Sequence, residues 1–347
     1  MKFYSLGVED NLWNDTLSLF SNLNKDIFYS QNFANLAQKT IYKNNSVKCL
    51  MASNSDNFIL CPIIERKFKF KKTNFVDLTS PYNLGGPIFN KKDEKLIEFF
   101  NKQLINYCKE NQVLNLFLRF HPIIKNNDII DNVNITETGD YAIVNLGKID
   151  VPIIKNFEYR HQKSIKKAIN SKVKIIISND EKYLKDFIEI YKNEMIAKNA
   201  NKFYFFDEDF FYNLKNYIKN NYQFFYAIFE GKIISCELVI YSNYFSHSYL
   251  GATKYKFRHI CSNHLLKKEI IEYFKSKGLQ YFFLGGSQSE NDGIFKYKSG
   301  FSNQKILKNK IGKIIFDKKK DLELRKMFNQ KFPNESFKKL QFYEDYF

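Results

Sequence analysis

Apolar positions recur along this chain with two periods, 3.6 and 2 residues, and the order in which the periods alternate predicts the elements. After a short strand at residues 3–6, Leu12, Trp13, Thr16, Leu17 and Phe20 line one face of a helix over 10–23. A second helix is expected over 31–42. Strands follow at 47–52 and 58–67, joined by the polar run 53–57 as a hairpin with a longer loop, and a third strand at 75–78. The loop 79–87 interrupts the pattern. Beyond it come a long helix over 93–110, a buried strand over 113–120 and a closing strand over 142–146.

The second half repeats that order. A strand at 172–177 leads to helices over 181–198 and 207–220, then to a hairpin of strands 223–229 and 232–241 turning at Glu230-Gly231. A third strand at 245–250, a helix over 262–277 stopped by Gly278, and a buried strand at 281–284 complete the set. Residue identities hardly repeat between the halves, so the duplication rests on element order alone. The expected architecture is α/β: one domain over 1–148, a second over 149–317, each a mixed, mostly antiparallel sheet flanked by helices, and a helical tail over 318–347.

Composition narrows the class. With 347 residues, 44% of them hydrophobic, and only 6 Pro and 13 Gly, the chain is globular with ample material for two cores. It has no run of about 18 uncharged apolar residues, and its first residues lack the apolar stretch of a signal peptide. A cytoplasmic protein is expected, in peripheral contact with the inner face of a membrane at most. The five cysteines, Cys49, Cys61, Cys108, Cys236 and Cys261, form no C-x-x-C pair and read as buried thiols. No His/Cys cluster calls for a metal. The formal charge of +17 points toward anionic partners, yet only five of the 54 basic residues are Arg. The richness in Lys, Asn and Ile is also what an AT-rich genome produces, so charge alone names no partner and gives no case for DNA. G-x-S-x-G, Walker A and G-x-G-x-x-G runs are missing, which leaves hydrolase, P-loop and dinucleotide readings without support.

Four local motifs stand out in order. They are Ser80-Pro81-Tyr82-Asn83-Leu84-Gly85-Gly86-Pro87; Tyr249-Leu250-Gly251-Ala252-Thr253 with Asn263-His264-Leu265-Leu266; Leu284-Gly285-Gly286-Ser287; and Phe295-Lys296-Tyr297-Lys298-Ser299-Gly300-Phe301. Together with Arg160, and on the repeated order strand, two helices, three-strand meander, helix, strand, the chain resembles the FemAB/FemX-like tandem-GNAT acyltransferases over residues 1 to about 310. That family includes peptidoglycan-bridge aminoacyltransferases and sugar N-acyltransferases. The resemblance implies acyl or aminoacyl transfer to an amine of a nucleotide- or lipid-linked amino-sugar or cell-wall precursor. The co-substrate it implies is acyl-CoA or aminoacyl-tRNA, with no tightly bound cofactor. Two alternatives stay open, a tRNA-dependent peptidoglycan-bridge enzyme and a non-catalytic binding protein on the same repeat. The paired-helix arm by which some bridge-forming members contact tRNA has no candidate here.

Candidate residues follow from both lines. Glu237 lies in Ile233-Ile234-Ser235-Cys236-Glu237-Leu238-Val239, apolar on both faces, where a carboxylate is costly unless paired or working. In a GNAT-like sheet it would border the acceptor cleft as general base; a structural ion pair is the alternative. Lys296 and Lys298, read as an extended segment, would share one face about 7 Å apart and suit a phosphate or carboxylate. Gly285 and Gly286 end a buried strand where a ligand can approach, and Gly85 and Gly86, with Tyr82, carry the same reading in the first half. Arg160 and Lys163 share a helix face with Lys167. Tyr249, Gly251 and Asn263 enter through the motif. The stretch Lys254-Tyr255-Lys256-Phe257-Arg258 stands where acyl-CoA enzymes carry a Gly-rich pyrophosphate loop, and has no glycine; Lys254, Lys256 and Arg258 are the side chains left to hold the donor's phosphates. His247 and His264 are lone histidines and read as structural.

Overall fold

The computed structural model describes residues 1–70, 72–286, 293–304 and 306–331. The chain divides into two compact units, Met1–Thr138 with Asn309–Phe347, and Gly139–Lys308.

In the first unit the elements run β1 (Lys2–Gly7), α1 (Leu12–Ser18), α2 (Gln31–Thr40), β2 (Ser46–Ser53), β3 (Phe58–Phe70), β4 (Thr73–Thr79), β5 (Ile88–Phe89), α3 (Glu94–Glu110) and β6 (Val113–Arg119). The sheet order is β1-β2-β3-β4-β6, with β5 on β3; β4 and β6 are parallel and the other pairs antiparallel. Ile63, Leu78, Leu116 and Leu118 of this sheet meet Leu96, Phe100 and Leu104 of α3 in one core. Asp93 starts α3 by accepting from the Leu96 N–H at 3.1 Å, as an N-cap carboxylate does.

After β7 (Asn134–Asn145), the second unit continues α4 (Tyr159–Asn170), β8 (Lys174–Ile177), α5 (Leu184–Ala197), α6 (Glu208–Tyr217), β9 (Tyr222–Phe229), β10 (Lys232–Tyr241), β11 (Phe245–Thr253), α7 (Ser262–Ser276), β12 (Tyr281–Gly286) and α8 (Gly293–Ser299). Its sheet order is β8-β9-β10-β11-β12-β7. Again one pair, β11 and β12, is parallel, at the place that β4 and β6 occupy in the first unit. The duplication expected from element order is therefore a duplication of topology. Glu230 and Gly231 both have positive φ, the geometry of a two-residue hairpin turn. Gly278 at φ +79 ends α7.

The units do not divide where the pattern places them. Residues 142–146, expected to close the first half, belong to the second unit: β7 pairs with β12, and Ala142, Val144 and Leu146 sit in the core with Phe225, Leu266, Ile270 and Phe282. The mirror case is β13 (Leu307–Ile315), most of which lies in the first unit, pairing Ile311↔Arg119 to Ile315↔Asn115 with β6. Each sheet thus takes its sixth strand from chain that hydropathy cannot assign to either half. The tail is not separate either. Its helix α9 (Lys318–Lys331) falls in the first unit and buries Leu324 and Phe328; 332–347 lie outside the described residues.

Candidate functional site

The second unit assembles most of the candidate residues around the place where β11 and β12 separate. These strands pair only from Phe245↔Tyr281 to His247↔Phe283, although β11 runs on to Thr253 and β12 to Gly286. Beyond that point the described residues of the two strands no longer pair with each other. α7 packs under this region, and no side chain caps its start. Its first N–H groups carry the positive end of the helix dipole, so an anion is favoured there even though the preceding loop has no glycine.

Glu237 faces α7, and there the structure supplies a partner that the sequence leaves open. Lys267, 4% exposed, donates to Glu237, 7% exposed, and also to Ser248 Oγ at 3.0 Å, with its ammonium 5.4 Å from the Phe282 ring centroid. Glu237 is therefore one half of a buried ion pair. Opposite it in register stands Gly251, exposed, where an added Cβ would lie 3.5 Å from Glu237 Cγ; the missing side chain leaves the strand beside the carboxylate uncovered. Lys267 is not among the residues that sequence reasoning singles out, yet it carries a signal. With Asn263, Ile270 and Phe274 it falls on the inner stripe of α7, where an unexplained lysine implies a buried acid.

The segment Phe295 to Phe301 corrects another expectation. Its residues to Ser299 fall in the helix α8, not an extended strand, so Lys296 and Lys298, two residues apart, point about 200° away from each other rather than sharing a face. What selects the helix is its docking. Tyr297 and Phe301, at i and i+4, pack together at 5.3 Å and close on His161 and His264. Tyr297 donates to Asn263 O at 3.1 Å, joining α8 to the first turn of α7. Lys298 reaches back over the glycines, its ammonium 3.3 Å from Gly286 O and 2.8 Å from where a Gly285 Cβ would stand. Gly285 has φ +101, which a side chain would strain. Ser287 lies outside the described residues.

The start of α4 holds the other side of α8. Arg160 donates to Lys296 O at 2.6 Å and pairs with Glu158; His161 Nε2–H donates to Tyr297 O at 2.8 Å; and Glu158 N–H donates to Gly300 O at 2.9 Å. Gly300 is glycine because its Cα lies against the His161 ring: an added Cβ would be 2.4–2.8 Å from three ring atoms. Burial lowers the His161 pKa, despite the carbonyl bond that favours protonation. His264 is pushed down to about 4, by burial first and by His161 and Arg160 next. Burial raises the Tyr297 phenol, and the Glu237 charge adds to it. The two histidines are thus neutral packing groups at pH 7.

Other candidates lie elsewhere. Tyr249 points to the opposite face of the sheet, stacked on Phe210 at 5.9 Å and beside Phe206, so it does not line the Glu237 face. Arg258 is committed to the buried Glu194 of α5 at 2.6 Å, which Lys198 shares; Lys256 lies over Phe257; Lys254 is half-buried. Lys163 is exposed, over the Tyr159 ring. In the first unit Gly85 and Gly86 are buried, not open. Gly85 donates to Arg119 O at 2.7 Å, and its carbonyl accepts from Tyr29 and Asn126, both at 2.8 Å. Gly86, at φ +82, lies against Phe120. This loop is a packed closure on β6, and its glycines serve close approach within the fold; Tyr82 beside them is half-buried.

No protein-family profile and no curated protein sequence matches this chain. Solved structures do. FemX matches with a TM-score of 0.68 over 90% of this chain and 97% of its own, at 11% identity. The fold is that of FemX. The C-terminal domain of a putative lysylphosphatidylglycerol synthetase from Agrobacterium fabrum follows at 0.59, 12% identity, over 93% and 96% of the two chains. A tandem GNAT protein from the clavulanic acid biosynthesis pathway matches at 0.52, 7% identity, over 91% and 98%. The tandem-GNAT architecture expected from the motifs is the observed one. At these identities the likeness concerns the fold, and the chemistry has to be argued from the residues.

Proposed function

We propose that this protein transfers an acyl or aminoacyl group to the amine of an amino-sugar or another cell-envelope precursor. The observation that carries the reading is the parting of β11 and β12 over the uncapped start of α7, with Lys298, Gly285 and Gly286 on one side and Glu237 and Gly251 on the other. An extended donor arm fits between the parted strands, and its phosphates find helix N–H groups.

The chemistry needs little more than placement. The acceptor amine attacks the donor's carbonyl carbon, a C–N bond forms, and the C–S or C–O bond to the carrier breaks. The proton lost by nitrogen passes through a base to the leaving thiol or hydroxyl. Glu237, held by the Lys267 ammonium, is the carboxylate nearest that path. The Lys298 ammonium and the backbone N–H groups at the end of β12 are the donors for the oxyanion. Arg160, paired with Glu158 and bonded to Lys296 O, holds α8 in place beside the opening. The donor is an acyl-CoA or an aminoacyl-tRNA, and these are the arms of the test.

The experiment is a thermal-shift titration of the full chain with acetyl-CoA, longer acyl-CoAs and charged tRNA, followed by mass spectrometry of amino-sugar acceptors incubated with the donor that binds. A ligand at 100 times its Kd raises stability by about 2.7 kcal/mol. A shift with one donor class, and acylated product, supports the reading. No shift with any donor would sink it.

A further inference from the structure

Charge on the second unit is arranged more sharply than its total. Residues 159 to 179 carry six Lys or Arg and no Asp or Glu, and residues 254 to 268 carry five and none. The fold puts these stretches side by side, α4 against the turn 255–260. On α4 the exposed positions Tyr159, Lys163 and Lys166 project together, flanked by Lys167 on one side and Ile169 on the other. Lys172 and Lys256 are exposed as well. The two arginines of the face are already paired, Arg160 with Glu158 and Arg258 with Glu194, so the uncommitted charge is lysine. Interleaved with it are large exposed side chains: Tyr159 at 70%, Tyr255 at 78%, Ile169 at 50% and Ile177 at 40%.

We infer that this face of α4, β8 and the turn 255–260 docks the protein on an anionic lipid surface. The mixture decides the partner. Lysine is a flexible point charge suited to a diffuse layer of headgroups, whereas bidentate reading of phosphates falls to arginine, here engaged elsewhere. Tyrosines suit the headgroup level of a bilayer, and exposed isoleucines gain from the acyl boundary while offering nothing to stacked bases. Among the described residues no helix is long and apolar enough to cross a membrane. The inference goes beyond the transferase reading and stands on surface geometry alone.

The test is co-sedimentation of the full chain with vesicles of phosphatidylcholine, with and without 30 mol% phosphatidylglycerol, at low and high salt. Three proteins are compared: the wild type, the triple variant K163Q/K166Q/K167Q on α4, and a charge-matched control, K95Q/K102Q/K109Q, on exposed positions of α3. All six positions are exposed, and melting curves confirm that each variant folds. Near an anionic surface each lysine contributes about fivefold in partitioning, so the α4 variant loses on the order of 100-fold. Binding that requires phosphatidylglycerol, fades with salt, and is lost in that variant but kept in the control supports the inference. Equal loss in both variants, or no vesicle binding by the wild type, overturns it. So does tight retention of structured RNA together with indifference to vesicles, which would assign the face to nucleic acid.

Discussion

Removing the carboxylate with Glu237→Met leaves Lys267 buried at 4% exposure beside Ser248 Oγ and the Phe282 ring. Breaking a buried pair from one side costs about 3–5 kcal/mol, because the remaining charge is uncompensated. Lys267→Met makes the same error from the other side. The double variant E237M/K267M replaces both charged groups by apolar ones of similar volume, and such replacements are roughly neutral. The coupling between the two sites is therefore expected to be several kcal/mol, against the few tenths by which independent sites depart from additivity. In a unit of this size each kcal/mol moves Tm by about 2–4 °C, so each single variant melts roughly 6–20 °C lower and the double variant near the wild type. Differential scanning calorimetry of the four proteins reads this directly. If the two single-variant losses simply add in the double variant, the pair is not the buried, mutually dependent one described. The same cycle separates structure from chemistry. A double variant that folds but transfers no acyl group leaves the proton-accepting role with Glu237, whereas one that folds and turns over at the wild-type rate confines Glu237 to the ion pair.

Three further outcomes are expected. The unfolded chain has an ordinary imidazole at 6.5 and the folded His264 one at about 4, so the unfolded state binds the extra proton between these values. Stability is full above about pH 6.5 and falls by on the order of 2–3 kcal/mol toward pH 4, and H264Q removes that part of the slope in urea melts; an unchanged slope would contradict the burial of the ring. Gly300→Ala forces a Cβ into the His161 ring and costs about 1–3 kcal/mol, as overpacking does, with much of it regained in G300A/H161A; chemical denaturation measures both. Gly86→Ala strains φ +82 and presses on Phe120 and Asn126, lowering stability by about 1–3 kcal/mol, while leaving the donor-induced thermal shift of the folded protein as it was; a lost shift would return that loop to the site.

The fold is legible where a period repeats and where punctuation is strong. The amphipathic stripes of α3 and α7, the Glu230-Gly231 turn and the stop at Gly278 are local facts, and local physics decides them. What is not legible is long-range exchange. β7 follows the last helix-strand pair of the first half with nothing but a loop between, so proximity in sequence assigns it there; only its pairing with β12 and the burial of Ala142 and Val144 move it. β13 is the same case reversed. A strand of alternating apolar residues says that it joins a sheet and is silent on which one.

The site shows a second limit, set by energy rather than topology. For Phe295 to Phe301, period-2 alternation of aromatic and lysine reads as an edge strand, but the spacing also places Tyr297 and Phe301 one helical turn apart. The tie is broken by what the aromatics pack against, His161 and His264, which lie more than a hundred and some thirty residues away in sequence. Glu237 is legible as a residue in need of explanation because its strand is apolar on both faces, and Lys267 on the inner stripe of α7 is the matching misfit. Each violates its local pattern, and two such violations of opposite charge on neighbouring elements cost less together than apart. A search for complementary misfits of this kind, rather than for single unusual residues, pairs Glu237 with Lys267 on the pattern of the chain alone.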